Sequence, residues 1–198
     1  MMAILKATGQ ISPEEYVEGE RLSEIRHEYI DGYVYAMAGA SDDHNRIAGN
    51  IFGELRERLR GSKCEAFIND MKAKIPQHFA NAYYYPDVLV TCDPADDARY
   101  FRELPSVIFE ILSPDTERID RGEKANAYRQ IPSIKTYVLV EQERIAATVL
   151  RVAEVGWTSE LLEGKSGILR LPEISAEISM DRIYERTRVS KNLLEGKF

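Results

Sequence analysis

The chain has 198 residues, with 26 Lys and Arg against 33 Asp and Glu and a formal charge of −7. That balance disfavours avid, nonspecific nucleic-acid binding, which depends on basic contacts to phosphate, though it leaves room for a local basic surface. With 44% hydrophobic and 30% charged residues and no apolar run of membrane-spanning length, the sequence predicts one globular domain over residues 1–198 and no membrane partner.

The N-terminal stretch "MMAILKATGQISPEEYVEGE" has one Lys and a short apolar patch. It reads as no signal peptide, so a cytoplasmic location is expected. "SPEEYVEG" (12–19) predicts a short helix with Ser12 as N-cap and Pro13 in its first turn. "YIDGYVYAMAG" (29–39) has an Asp-Gly turn before a β-rich run and predicts a hairpin. "SDDHNRIAGNIFGELRERLRG" (41–61) predicts a helix capped by Ser41, with an apolar stripe of Ile47, Ala48, Ile51, Phe52, Leu55 and Leu59. Arg56, Arg58 and Arg60 near its end read as a helix C-terminal charge cluster ahead of a DNA-facing patch.

"KCEAFINDMKAKIP" (63–76) reads as strand, with Lys72 and Lys74 on the polar face. Cys64 and Cys92 lack metal-ligand spacing, and in a cytoplasmic chain they are expected to be reduced core residues. "DVLVTC" (87–92) and "PSVIFEILSP" (105–114) are apolar enough for central strands, and the acidic run "CDPADDARY" between them reads as a solvated loop. "DRGEKANAYRQIP" (120–132) predicts a helix with Asp120 and Glu123 in a capping box. "KTYVLVEQ" (135–142) and "IAATVLRV" (145–152) predict two strands around a tight turn. The remainder, through "ILRLPEISAEISMDRIYERT", reads as edge strands and a short helix. The sum is an α/β fold with a mixed sheet and at least two helices.

Asp87 opens one apolar run and Glu110 sits inside the other. A carboxylate in such a segment is costly to bury unless it is paired. If the two strands are neighbours, the carboxylates converge and need a cation to stay ionised together. Oxygen ligands favour Mg²⁺ or Mn²⁺, and such an ion suits phosphodiester hydrolysis. Lys124, 14 residues beyond Glu110, is the candidate for steadying the transition state, with Tyr128 one helical turn further on.

"YPDVLVTCDP … PSVIFEILSPDTERIDRGEKANAYRQIPSIKTYVLVEQ", with "HEYIDGYVYAMAGASDDHN" upstream and "EISMDRIYE" downstream, closely resembles the Uma-two family of restriction-endonuclease-like proteins, which abounds in cyanobacteria. The resemblance covers nearly the whole chain and implies the PD-(D/E)XK nuclease superfamily: a restriction-endonuclease-like mixed sheet flanked by helices and a Mg²⁺- or Mn²⁺-dependent endonuclease acting on DNA. It matches Pro86-Asp87 to "PD" and Glu110-Ile111-Leu112 to "(D/E)XK", so Leu112 stands where the motif lysine belongs. Lys124 matches the position of a lysine displaced to the next helix. The implied metal ligands are Asp87, Glu110 and the Ile111 backbone carbonyl. Glu28 matches an acidic residue that an upstream helix contributes in many such nucleases. By analogy with restriction enzymes, a homodimer is expected.

Each residue also has a plainer reading. Asp87 could cap a loop, and Glu110 could be a structural ion pair, with Lys124 as its partner. Lys124 could face solvent, and Tyr128 could simply pack. Glu28 could lie on the surface. His44, in the first turn of its helix, reads as a capping or core histidine ahead of a supporting site residue. An inactive nuclease-fold binding module and an RNase are the rival functions.

Overall fold

The computed structural model describes residues 10–76, 81–114 and 116–195. The leader reading of the first residues falls largely outside them. Ser12 caps α1 (Pro13–Glu20) through a reciprocal box: its hydroxyl accepts the Glu15 amide, and the Glu15 carboxylate accepts the Ser12 amide at 2.7 Å. β1 (His27–Ile30) and β2 (Tyr33–Ala36) form the predicted hairpin, turning through Asp31 and Gly32 at positive φ. Ser41 caps α2 (Asp42–Arg58). The stripe residues Ile47, Ala48, Ile51 and Leu55 are fully buried, and each large aliphatic side chain among them contributes about 1.5–3 kcal/mol.

The chain continues through β3 (Glu65–Ile68), β4 (Lys72–Ile75), β5 (Ala82–Tyr84), β6 (Val88–Thr91), β7 (Phe101–Arg102) and β8 (Pro105–Leu112). A helical segment follows, made of α3 (Glu117–Ile119), a π-helical turn (Asp120–Lys124) and α4 (Ala125–Tyr128). β9 (Thr136–Glu141), β10 (Ala146–Val152), β11 (Trp157–Glu163), β12 (Ile168–Leu171), β13 (Ala176–Ser179), α5 (Met180–Ile183) and α6 (Arg188–Glu195) complete it. A six-stranded sheet has the order β11-β10-β9-β8-β6-β3, and a five-stranded sheet has the order β2-β1-β5-β4-β7. β12 and β13 make a separate ribbon. α2 and α5 cover one face of the six-stranded sheet; α4 and parts of the five-stranded sheet cover the other.

Four expectations change. Residues 63–76 are two strands in two different sheets. Asn69 takes φ 60° and donates its amide to the Asp87 carbonyl, which turns the chain out of one sheet and into the other. Lys72 is buried, its amine over the Tyr85 ring. In the acidic loop, Asp96 is buried and accepts the amides of Glu103 and Leu104 and the Thr91 hydroxyl, so it ties the loop together. The second helical segment starts at Glu117, and Asp120 turns inward with no capping bond.

The fourth change concerns the cysteines. Cys64 and Cys92 form a disulfide. The β3–β6 register pairs Glu65 with Thr91, so the two cysteines are direct cross-strand neighbours one step beyond the ladder. Their sequence separation of 28 residues closes a loop containing β4, β5 and Asp87. Constraining the unfolded chain over such a loop contributes about 3–4 kcal/mol. Cys64→Ser with Cys92→Ser is therefore expected to lower the urea midpoint, with a somewhat steeper slope because the uncrosslinked unfolded chain exposes more surface. An unchanged midpoint would show that the bond adds nothing to stability.

Candidate active site

Strand alternation sets the site. Along β8, Val107, Phe109 and Ile111 face the core beneath α2, whereas Ile108 and Leu112 face the core around Tyr128. Glu110 shares the second face. β6 pairs antiparallel with β8 at Val88 and Phe109, so Asp87, one residue before β6, lies opposite Glu110.

Both Asp87 oxygens are held. Oδ2 accepts the Ile111 amide at 2.7 Å, and Oδ1 lies 2.8 Å from His44 Nε2 in the first turn of α2. A residue in an extended strand directs its N–H and C=O to the same side. The Ile111 carbonyl therefore faces the Asp87 side, past the end of β6.

The Glu110 carboxylate accepts the Tyr128 hydroxyl at 2.9 Å and lies 3.3 Å from the Lys124 ammonium, both through Oε1. Lys124 Nζ is also 2.8 Å from Glu28 and 3.5 Å from Asp120. Glu28 comes from β1, in the other sheet, where its carboxylate accepts the Tyr85 amide. The upstream acid thus arrives on a strand, not on the helix that the resemblance implied. The π-helical turn buries both Asp120 and Lys124; such turns are rare and recur at functional sites.

Four side chains form the closed end of the site: Glu28 and Glu110 are each 3% exposed, Asp120 2% and Lys124 6%. One ammonium faces three carboxylates, with Asp87 close by. Burial pushes the Glu110 carboxyl well above its ordinary range; Lys124 opposes that shift, and Asp120, Asp87 and Glu28 add to it. Asp120 is raised too, chiefly by burial. Burial alone would lower the Lys124 ammonium, but Glu110, Glu28 and Asp120 more than offset it, and its pKa is raised. By count, the site sets four carboxyl groups, Asp87 included, against the Lys124 ammonium.

Among the described residues, no three acidic, histidine or cysteine side chains are close enough together to chelate an ion as they stand. The donor set nonetheless suits a hard divalent cation. It is built from carboxyl oxygens that outnumber the cations beside them, and buried Asp120 Oδ1 makes no hydrogen bond, with only the Lys124 ammonium near it at 3.5 Å. A cavity of about 600 Å³ opens onto Glu28, Asp87, Glu110 and Lys124. A larger groove of about 780 Å³ runs past Arg56, Arg60 and Cys64 and holds none of the converging carboxylates. Arg58 pairs with Glu54.

The family model for Uma2, described as "Putative restriction endonuclease", matches residues 13–181. The chain belongs to the Uma2 family. Two proteins of Synechocystis sp. resemble this Uma2 chain along most of its length. Slr1290 is 35% identical over 176 residues, covering 88% of this chain and 92% of its own. Sll1609 is 31% identical over 144 residues, covering 71% and 80%. A crystal structure titled as "a putative nuclease belonging to DUF820" from Anabaena variabilis matches with a TM-score of 0.66 at 14% identity, over 82% of this chain and 91% of that one. It shares the mixed α/β fold.

Asp87, Glu110, Lys124, Glu28, His44 and Ile111 thus come together around one cavity in this Uma2 protein, and Tyr128 reaches Glu110 from the apolar core behind it. Leu112, in the motif's lysine place, is packed in the apolar core around Tyr128. Asp120 is the site residue that sequence reasoning missed. Its spacing of four from Lys124 on one helical face was the available signal.

Proposed function

We propose that this Uma2 protein is a metal-dependent endonuclease that hydrolyses phosphodiester bonds in DNA. The observation that carries the reading is the meeting of Asp87 and Glu110 at paired strand ends, with an ammonium from a following helix on Glu110. Asp87, Glu110 and the Ile111 carbonyl would hold Mg²⁺ or Mn²⁺, which when bound would neutralise phosphate charge and lower the pKa of water.

The remaining roles belong to the chain itself. Glu28 and Asp120 keep Lys124 Nζ protonated and fixed. To reach the phosphate oxygen on which charge grows in the transition state, the ammonium would exchange one of these carboxylate contacts for the phosphate. Tyr128 fixes Glu110 by donating to Oε1, and the Ile111 amide fixes Asp87. Cleaving both strands of a duplex would take two such sites, which a closed homodimer would supply.

A second reading has its own observation. Lys124 already neutralises part of the carboxylate cluster, as it would in a nuclease-fold binding module with no catalysis. Incubation with DNA and with RNA at millimolar Mg²⁺ or Mn²⁺ separates the readings. We expect DNA cleavage that chelation of the metal stops. Cleavage of RNA alone would make the protein an RNase, and cleavage of neither would favour the module.

His44 supports Asp87 from outside the sequence motif. His44→Ala is expected to weaken metal-dependent cleavage about 10–100-fold, the range for partners that orient a ligand. Saturating metal should recover part of the loss, and His44→Gln, which can donate to the same oxygen, should keep more activity than His44→Ala. Equal rates in all three proteins would remove His44 from the site.

A further inference from the structure

The cavity above the carboxylates bears on the form of nucleic acid it can take. Asp87 is partly exposed at the rim, but the groups at the closed end are almost wholly buried: Glu28 and Glu110 at 3% and Lys124 at 6% exposure. A phosphate must therefore enter the cavity. Its volume of about 600 Å³ lies in the range that encloses a small-molecule-sized ligand, not a helical rod.

Charge along the walls points the same way. Only Arg26 and Lys124 among the lining side chains are cationic, against Glu28, Asp87, Glu110 and Asp120. Lys124 is engaged by three of those carboxylates, and Arg26 lies 3.4 Å from Asp70. A duplex presents one charge per about 1.7 Å of axis and is held by a series of basic contacts. These walls do not supply such a series.

They do supply a surface suited to a base. One wall is the uncharged stretch Met37-Ala38-Gly39-Ala40 between β2 and α2. Beside it stand the carboxamides of Asn45, Asn69 and Gln142. The Asn45 and Asn69 side chains make no hydrogen bond among the described residues, and Gln142 uses only its oxygen, which accepts the Ser41 hydroxyl. Each carboxamide offers donors, and those of Asn45 and Asn69 offer an acceptor as well, the groups that read the pairing edge of an exposed base.

We infer that the site takes nucleic acid as a single strand, or as an unpaired stretch within a duplex, with one nucleotide seated against the carboxamide wall. The inference rests on the nuclease reading for its chemistry but makes a separate claim about the form of the substrate. A single strand also needs only one site, so cleavage would not require a dimer.

The test uses one oligonucleotide sequence in four forms: single-stranded DNA, perfect duplex, duplex with an unpaired stretch, and single-stranded RNA. Cleavage is followed with Mn²⁺, and binding by fluorescence anisotropy without metal. We expect the single strand and the unpaired stretch to be cut and bound at least about tenfold better than the perfect duplex, which must first pay for unpairing. The double variant Asn45→Ala with Gln142→Ala should weaken single-strand binding several-fold while leaving the weak duplex binding unchanged. RNA handled as well as DNA would support the inference and widen the substrate to either polymer.

A perfect duplex cut or bound as well as the single strand would overturn the inference and leave the nuclease reading standing. Absence of cleavage in every form would sink the nuclease reading, and anisotropy would still decide the preference: single strands favoured supports it, while equal or no binding overturns it. Unchanged single-strand binding in the double variant would overturn the assignment of the wall.

Discussion

Lys124→Met is expected to destabilise the fold by about 3–5 kcal/mol, the cost of removing one partner from a buried charge cluster. The Lys124 ammonium lies within 3.5 Å of Glu28, Glu110 and Asp120, and all four side chains are nearly inaccessible to water. Methionine fills similar volume but leaves three carboxylates facing one another. Glu28→Gln in the same chain should restore part of the loss, because it removes one of the stranded charges. The coupling is read from urea midpoints of the wild type, both single variants and the double variant. Additive effects, or a Lys124→Met protein as stable as wild type, would mean that the ammonium is not what balances the cluster.

Glu110→Gln has the opposite profile: small for folding and large for chemistry. The amide keeps the shape of the side chain and can still accept from Tyr128 and Lys124. It also removes a carboxylate that burial and its acidic neighbours already hold well above its ordinary pKa. The fold should therefore change by less than about 2 kcal/mol. Cleavage should fall by on the order of 10²–10³-fold, as when one preorganised electrostatic group is removed from an active site. The comparison needs turnover and a melting curve on the same preparation. Turnover within a few-fold of wild type would take Glu110 out of the catalytic machinery.

How far the sequence could be read depended on the range of the interaction involved. Local signals were clear. The box at Ser12, the Asp31-Gly32 turn, the Ser41 cap and the buried stripe of α2 all follow from spacing within a few residues, and all are present. The central placement of β6 and β8 was legible because both runs are apolar on both faces, whereas their pairing was an assumption that the structure bears out.

Features that depend on contacts across the fold were not legible. The break at Asn69 depends on an amide bond to the Asp87 carbonyl. The Cys64–Cys92 bond depends on cross-strand register, and the expectation of reduced thiols came from an assumed compartment instead. Asp120 was assigned to a cap because Asp is common there. In the structure, the start of the helix three residues earlier turns it into the site. The gap at Leu112 was visible in the motif, but only the fold brings Lys124 from the next helical segment to within 3.3 Å of Glu110.

Calorimetric titration of the purified protein with Mn²⁺, alongside Asp87→Asn, tests the central claim most directly. His44 and the Ile111 amide fix Asp87 beside Glu110 in a site where carboxyl groups outnumber the ammonium. The account predicts saturable binding in wild type that Asp87→Asn abolishes while its melting curve remains cooperative. Absence of binding at millimolar metal, or the same isotherm in both proteins, would contradict it.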